Sequence, residues 1–442
     1  MKTHQFKGIC AGLFLSAVSL HGENLMDVFH LAEQNNSDYE AVKYRFEAQQ
    51  ETLNIGRAAL LPQVSASANW NWNSDELTFT DGGDQTQGMA GEHGYDTKSL
   101  SLTLRQPLFN WYALRRYQRA KTEVLQSALQ FESAHQQLIL QSASAYLNIL
   151  LARESKDTAV AEKEALEEYF NRVSKSYDAG LADVTTLNEA RARNDLATSS
   201  LIAAENDLVV AEYAMERLIG QQLTDLDSLS REINLQLPDP QDRQYWIDAA
   251  MQGNIAFKAA ELGVDIARYQ VGEAEGNRYP TVDLVANQYW SEDDTMHRPV
   301  DLDNQFFGLQ VSVPLFTGGL LTSQARSAQS MLSAARADRE TARRTAIYDT
   351  TSAFTNVLRY ESSCRAARQA VVSTQSALEA TTVAVENGLR TPLDQLDALT
   401  QHYTALRSES NARYAYLLAR LQLRYAIGDL READLMEIQN LQ

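Results

Sequence analysis

Val385-Glu386-Asn387-Gly388-Leu389-Arg390-Thr391-Pro392-Leu393-Asp394-Gln395-Leu396-Asp397-Ala398 lies between two long helical runs. Gly388 takes a positive φ at little cost and so ends the first run. Thr391 is an N-cap residue type and Pro392 suits the first helical position, so a second helix starts here. Asp394 and Asp397, three apart, share one face of that helix near its positive end. An earlier stretch has the same build: Asp178-Ala179-Gly180-Leu181-Ala182-Asp183-Val184-Thr185-Thr186-Leu187-Asn188-Glu189-Ala190-Arg191. Gly388 follows Gly180 by 208 residues, and the same lag carries Ala145-Tyr146 to Ala353-Phe354 and Gly220 to Gly428. The chain is therefore written twice, and each copy turns sharply between long helices.

Outward from the turns the helices are unusually long. Residues 110–177 hold neither Pro nor Gly. One helix of ~68 residues would span about 100 Å. A globular domain has no use for that length; a coiled coil or a helical tube does. The partner run goes from 183 to 218. The second copy supplies runs over 320–387 and 392–427. A shorter helical run precedes the strands of each copy. The first spans 24–60, with Leu25, Val28, Phe29, Leu31 and Ala32 at helical spacing, and the second spans 245–278.

Between short and long helices the period changes to two. Val64, Ala66, Ala68, Trp70 and Trp72 alternate with Gln63, Ser65, Ser67, Asn69, Asn71 and Asn73. Leu100, Leu102 and Leu104 alternate with Ser99, Ser101, Thr103 and Arg105, and Pro107 closes the run. The second copy repeats this with Val282, Leu284 and Ala286, and with Phe307, Leu309, Val311 and Val313. Polar loops over 74–96 and 291–304 join the members of each hairpin. In a soluble sandwich the apolar faces would meet a core. In a transmembrane hairpin they would meet lipid, with the Ser/Asn face toward water and Trp70, Trp72 and Trp290 in an aromatic girdle. Strand length and the terminal tryptophans favour the second reading. Four strands cannot close a barrel, and an open edge in lipid leaves backbone groups unpaired, so at least two chains are required and three give twelve strands.

Composition narrows the function. The chain has 442 residues, 58 acidic against 39 basic, and a formal net charge of −19. That disfavours nucleic acid as a partner. Residues 1–22 have the build of an export signal: Lys2 and Lys7 precede an apolar run from Ile9 to Leu20, with His21-Gly22 at its end. Cys10 has the wrong flank for a lipoprotein. Cys364 is then the one remaining cysteine and reads as a small buried residue. No later apolar run is long enough for a membrane-spanning helix. His30, His93, His135, His297 and His402 are scattered, with no metal-ligand spacing and no nucleophile elbow or phosphate loop, so neither enzyme nor cofactor nor bound metal is expected. The rival to a duct is a periplasmic coiled-coil structural or adaptor protein, which would explain the helices but not the paired strands.

The duplication, the strand starts Leu61-Pro62-Gln63 and Tyr279-Pro280-Thr281, the strand ends Gln106-Pro107-Leu108-Phe109 and Val313-Pro314-Leu315-Phe316-Thr317-Gly318-Gly319, both Gly-Leu turns, and Asn411-Ala412-Arg413-Tyr414 together resemble the TolC family of outer-membrane efflux and secretion ducts. The resemblance covers essentially the whole chain after 1–22. It implies an α+β membrane protein and a homotrimer. Twelve strands, four per chain, would form one outer-membrane barrel in lipid. A long periplasmic helical barrel would continue it, with an equatorial belt around its waist. The domains expected are a signal 1–22, a first repeat 23–220 with hairpin 63–106, a connector 221–245, a second repeat 246–428 with hairpin 281–313, and an equatorial tail 429–442.

At the narrow periplasmic tip the resemblance implies docking of a periplasmic adaptor (a membrane fusion protein) and an inner-membrane RND, ABC or MFS pump. The docking turns would be Gly180, Leu181, Gly388 and Leu389. Asp394 and Asp397 match the family's constriction ring, which would attract polyvalent cations. Arg390 matches an arginine that latches the tip to a Thr-Asp pair. Its partners fall at Thr185 and Thr186, so Thr186 departs from the family aspartate, and Asp183 is the candidate substitute. Val385 stands where the family has a tyrosine.

Overall fold

The computed structural model describes residues 23–78, 91–223, 226–228, 233–293 and 300–439. The expected signal 1–22 and His297 lie outside them. In chain order the elements are α1 (Leu25–Asn35), α2 (Ser37–Ala58), β1 (Gln63–Leu77), β2 (Gly91–Phe109), α3 (Trp111–Asp178), α4 (Val184–Ile219), α5 (Arg243–Gly253), α6 (Ile255–Gly276), β3 (Thr281–Asp293), β4 (Val300–Ser312), α7 (Leu320–Glu386), α8 (Pro392–Ala426) and α9 (Glu432–Gln439). Among the described residues no helix is long and apolar enough to cross a membrane.

The strands form one antiparallel sheet in the order β1-β2-β3-β4, so β2 and β3 join the two copies and β1 and β4 are left as edges. Direct partners share a face. The row Val64, Leu104, Ala286, Phe307 lies on one side, and the row Ser65, Thr103, Asn287, Phe306 on the other. The first side holds the large apolar side chains, open to solvent in the single chain: Trp70 is 75% exposed, and Val64, Leu102, Phe307 and Leu309 are exposed as well, while Gln288 and Gln305 continue the row of Leu102. The second side is hydrogen-bonded. Asn287 donates to Ser101 Oγ (2.9 Å) and Thr103 Oγ1 (2.8 Å).

The strands run further than their alternation predicts. β1 continues to Leu77 opposite Gly91, and β3 to Asp293 opposite Val300, so both loops expected over 74–96 and 291–304 begin as strand. In β1 the continuation Ser74-Asp75-Glu76 is polar on both faces, so the ladder there runs on without the period that would reveal it. β2 also passes Pro107, where the register slips before Phe109.

Both short helical runs are broken in two, at equivalent places. Asn36 caps α2 through Tyr39 N–H (2.9 Å), and Asn254 caps α6 through Phe257 N–H (2.9 Å). The amide of Asn36 donates to the carbonyl of Leu218 at the end of α4. The amide of Asn254 does the same for Ala426 at the end of α8. Each asparagine therefore starts one helix and satisfies an orphan carbonyl of another.

α3 has 68 residues and α7 has 67, which gives each about 100 Å of length. Buried residues recur every seven: Ala152, Ala159, Leu166 and Val173 on α3, Ala190, Ala197 and Ala204 on α4, and Ala405, Ala412, Ala419 and Ala426 on α8. A seven-residue repeat makes neighbouring helices supercoil left-handedly, and alanine lets their backbones approach closely. The main core sits midway along the long helices. There α1, α5 and α9 pack on the patch Leu138–Leu150 of α3 and on Phe354, Tyr416, Leu417 and Leu421. Tyr146 and Phe354 belong to this core, and the Tyr146 hydroxyl donates to the carbonyl of Asp227 (2.7 Å). Cys364 is buried and free.

Candidate functional site: the two helical turns

The two turns are backbone copies. Gly180 has φ 71° and Gly388 φ 73°. Leu181 N–H bonds to Ser176 O, and Gly180 N–H to Tyr177 O, both at 2.8 Å. Leu389 N–H bonds to Ala384 O (2.8 Å) and Gly388 N–H to Val385 O (2.9 Å). This paired pattern is the Schellman ending, and the residue after its glycine normally packs back on the helix. Here it does not: Leu181 is 83% and Leu389 80% exposed. Two leucines held outward by identical rigid turns make a small apolar surface at one end of the molecule. Val385, in place of the expected tyrosine, offers the turn only its carbonyl.

The caps that follow are inverted versions of each other. In the first copy the N-cap is Asp183, whose Oδ1 accepts Thr186 N–H (2.7 Å). In the second the N-cap is Thr391. Asp394 Oδ2 accepts from the Thr391 hydroxyl (2.7 Å) and N–H (2.9 Å), and Asp394 N–H donates to Thr391 Oγ1 (3.3 Å). Asp and Thr have exchanged places three residues apart, which gives Thr186 its physical reason. Hydrogen bonds from the Thr391 side chain and backbone, helped by the charge of Arg390, hold the Asp394 carboxyl below its ordinary range. Backbone and side-chain hydrogen bonds from Thr186, with one from the Thr185 backbone, do the same for Asp183. Both carboxylates are therefore ionised at neutral pH.

Asp394 and Asp397 are both exposed near the start of α8. Asp397 has a partner that no spacing rule reveals: Arg193 on α4, 204 positions away, at 3.0 Å. Beside it the Tyr169 hydroxyl of α3 donates to the carbonyl of Pro392 (2.8 Å), and Leu396 packs with Leu166, Tyr169, Val173, Ala190 and Ala197. The first turn of α8 is thus seated on the α3–α4 pair. Arg390 is exposed, and among the described residues no hydrogen bond or ion pair joins it to Thr185, Thr186 or Asp183 of its own chain.

At the other end Trp70 and Trp72 point from the apolar face of β1, and Trp290 shares that face opposite Leu100. Gly94 leaves room for the Trp72 indole, since a Cβ there would lie 3.2 Å from its ring. The sheet and the turns occupy opposite ends of α3 and α7, so whatever joins these two sites must act along the length of the helices.

The family model described as "Outer membrane efflux protein" matches residues 28–221 and 246–429, one block per copy. The chain is 30% identical over 437 residues to the outer membrane protein TolC of Vibrio cholerae, covering 97% of this chain and 96% of that one. It is 31% identical over 448 residues to TolC of Escherichia coli K12, covering 98% and 88%. It is 30% identical over 417 residues to the alkaline protease secretion protein AprF of Pseudomonas aeruginosa, covering 93% and 85%. In fold it resembles the outer membrane protein VceC of Vibrio cholerae, with a TM-score of 0.76 at 20% identity over 91% of this chain and 96% of that one. It also resembles the Campylobacter jejuni CmeC outer membrane channel, with a TM-score of 0.79 at 17% identity over 94% and 89%.

Proposed function

The chain belongs to the outer membrane efflux protein family, an outer-membrane channel of the efflux and secretion class, and from that premise we propose that three copies assemble into one passive exit duct, opened at its helical tip by a periplasmic adaptor and an inner-membrane pump. The observation that carries this is the sheet. It has an apolar outer face, a hydrogen-bonded polar inner face, and an open edge at each end. Edges in lipid must be paired, and further copies of the same sheet supply the pairing. Three copies give an even-numbered barrel of twelve strands, which the helices continue as a tube. The duct carries out no catalysis and needs no cofactor.

The tip is the gate. Leu181 and Leu389 are the apolar contacts for the adaptor, which fits their exposure on rigid turns. Asp394 supplies a ring of three ionised carboxylates. Asp397 supplies a second ring, partly neutralised by Arg193. Arg390, which makes no hydrogen bond or ion pair among the described residues, latches onto a neighbouring copy, where Asp183 stands in for the family aspartate. Relatives named for efflux and for protease secretion support an efflux or secretion partner in general; the pump is taken to be of the RND, ABC or MFS type.

Planar-bilayer recording with a trivalent cation added on the tip side tests the gate. Asp394→Ala with Asp397→Ala should remove the block, and Arg390→Ser should raise conductance while keeping it. A double aspartate variant blocked as tightly as wild type would put the constriction elsewhere.

A further inference from the structure

On the helix-proximal part of the sheet the polar face carries one ion pair and is otherwise uncharged; Asp75 and Asp293 lie on this face only at its far end. Over residues 63–73, 97–107, 281–291 and 302–312 this face carries Ser, Thr, Asn, Gln, Tyr, Gly, Pro and a few apolar side chains, with Arg105 and Asp283 as its charges. Arg105 lies opposite Gln63 and Val285, and Asp283 opposite Pro107 and Gln310, so the pair is diagonal across β2 and β3 at the end nearest the helices. Arg105 donates from one terminal nitrogen to Asp283 Oδ2 at 2.7 Å.

The two partners are unequally placed. The Asp283 side chain is 4% exposed, that of Arg105 55%. Asp283 Oδ1 is buried and has no hydrogen-bond partner. Most buried polar atoms are hydrogen-bonded, so the unpartnered oxygen stands out. Here the carboxylate uses one oxygen to anchor the guanidinium, whose remaining N–H donors find no partner among the described residues. Arg105 is thereby anchored on the polar face with its side chain more than half exposed, a fixed cation among side chains that are otherwise uncharged over these residues.

We propose that Arg105, anchored by Asp283, forms an oxyanion-binding collar in the lumen where barrel meets tube, taking phosphate or carboxylate groups of cargo on their way out. This rests on the trimeric reading, which places three arginines around one lumen. A guanidinium fork matches such groups bidentately, and rings of arginine favour anions in pores. The collar is opposite in sign to the acidic tip. The long helix separates them by about 100 Å, many times the Debye length of about 8 Å in physiological salt, so each acts on cargo independently.

The test is block of the channel by tripolyphosphate added from the barrel side in planar bilayers. Removing Arg105 alone would strand the buried carboxylate, so the informative variant is Arg105→Gln with Asp283→Asn. It should weaken the block about tenfold, in line with loss of charge-assisted hydrogen bonds, while trivalent-cation block at the tip stays unchanged and reports an intact duct. Arg105→Lys should retain most of the block. A double variant blocked by tripolyphosphate as tightly as wild type would overturn the collar, as would a wild-type pore that tripolyphosphate does not block. A wild-type protein that forms no pore at all would instead bring down the duct reading and the collar with it.

Discussion

The upper halves of α4 and α8 hold equivalent places in two copies of one pattern, yet they live in opposite surroundings. At the lag of 208, Val209 and Tyr213 of α4 correspond to Leu417 and Leu421 of α8. The first two are exposed and the second two fully buried. Arg413, 2% exposed, lies between Glu154 and Glu409, while its counterpart Glu205 faces solvent. α8 packs on both α7 and α3, and the connector closes over it, with the Tyr416 hydroxyl bonded to the backbone of Gln236. Among the described residues α4 packs mainly on α3 and α1, and it meets α8 at the tip, through Arg193 and Asp397. Duplication has fixed the backbone twice without fixing the environment. The apolar stripe on α4, with Val209, Val210 and Tyr213, stays exposed in the single chain.

The sharpest way to break this comparison is one substitution at matched places. Leu421→Asp puts a charge into the core and should prevent the chain from reaching native helical content. Tyr213→Asp should leave that content intact and instead lower the assembled fraction seen by size-exclusion chromatography in detergent. Equal effects at the two positions would mean that α4 is not an interface.

A smaller contrast lies in charge. Arg413→Ala leaves two carboxylates beside a vacated buried site and should cost about 3–5 kcal/mol. Glu205→Ala, on the surface, should stay within about 0.5 kcal/mol. Denaturant unfolding followed by circular dichroism measures both.

The tip offers a subtler pair. Asp397 corresponds to Glu189 at the same lag, and only Asp397 is bound to Arg193. Arg193→Ala should free Asp397 and tighten trivalent-cation block about two- to fivefold, the scale of an exposed ion pair. Glu189→Gln should leave the block unchanged.

The smallest expected effect concerns the inverted caps. Asp183 and Asp394 both have carboxyls lowered by cap hydrogen bonds. A lowered folded value means that the caps contribute fully above the ordinary carboxylate range and lose that contribution as pH falls through the lowered values. Hydrogen exchange at Thr186 and Asp394 N–H should show the helix starts fraying in that acid window. Asp183→Asn, which keeps an acceptor but cannot titrate, should make Thr186 indifferent to it.

Much of this fold is legible in the sequence because its signals are local or repeated. The Gly-Leu turns, the Thr391-Pro392 helix start and the alternation from Val64 to Trp72 each declare themselves within a few residues. The lag then doubles every reading. Breaks at Asn36 and Asn254 escape a periodicity reading because the apolar pattern runs through them, although the two asparagines stand in matching places. The heptads through Ala152 and Ala190 were readable, but small residues give a weak apolar signal. What the sequence hides is contact between distant segments. Nothing near Asp397 names Arg193, nothing near Arg105 names Asp283, and no residue of α4 reveals that its stripe lacks a partner until the chain is folded.

The central claim is that one chain is a third of a duct. The direct measurement is the mass of the detergent-extracted protein, by native mass spectrometry or light scattering corrected for detergent. The full chain is 49.4 kDa. A single species of three chains is the expected result. A stable, folded monomer with its four-stranded sheet intact would contradict the account, because both sheet edges and the α4 stripe would then be stable without partners.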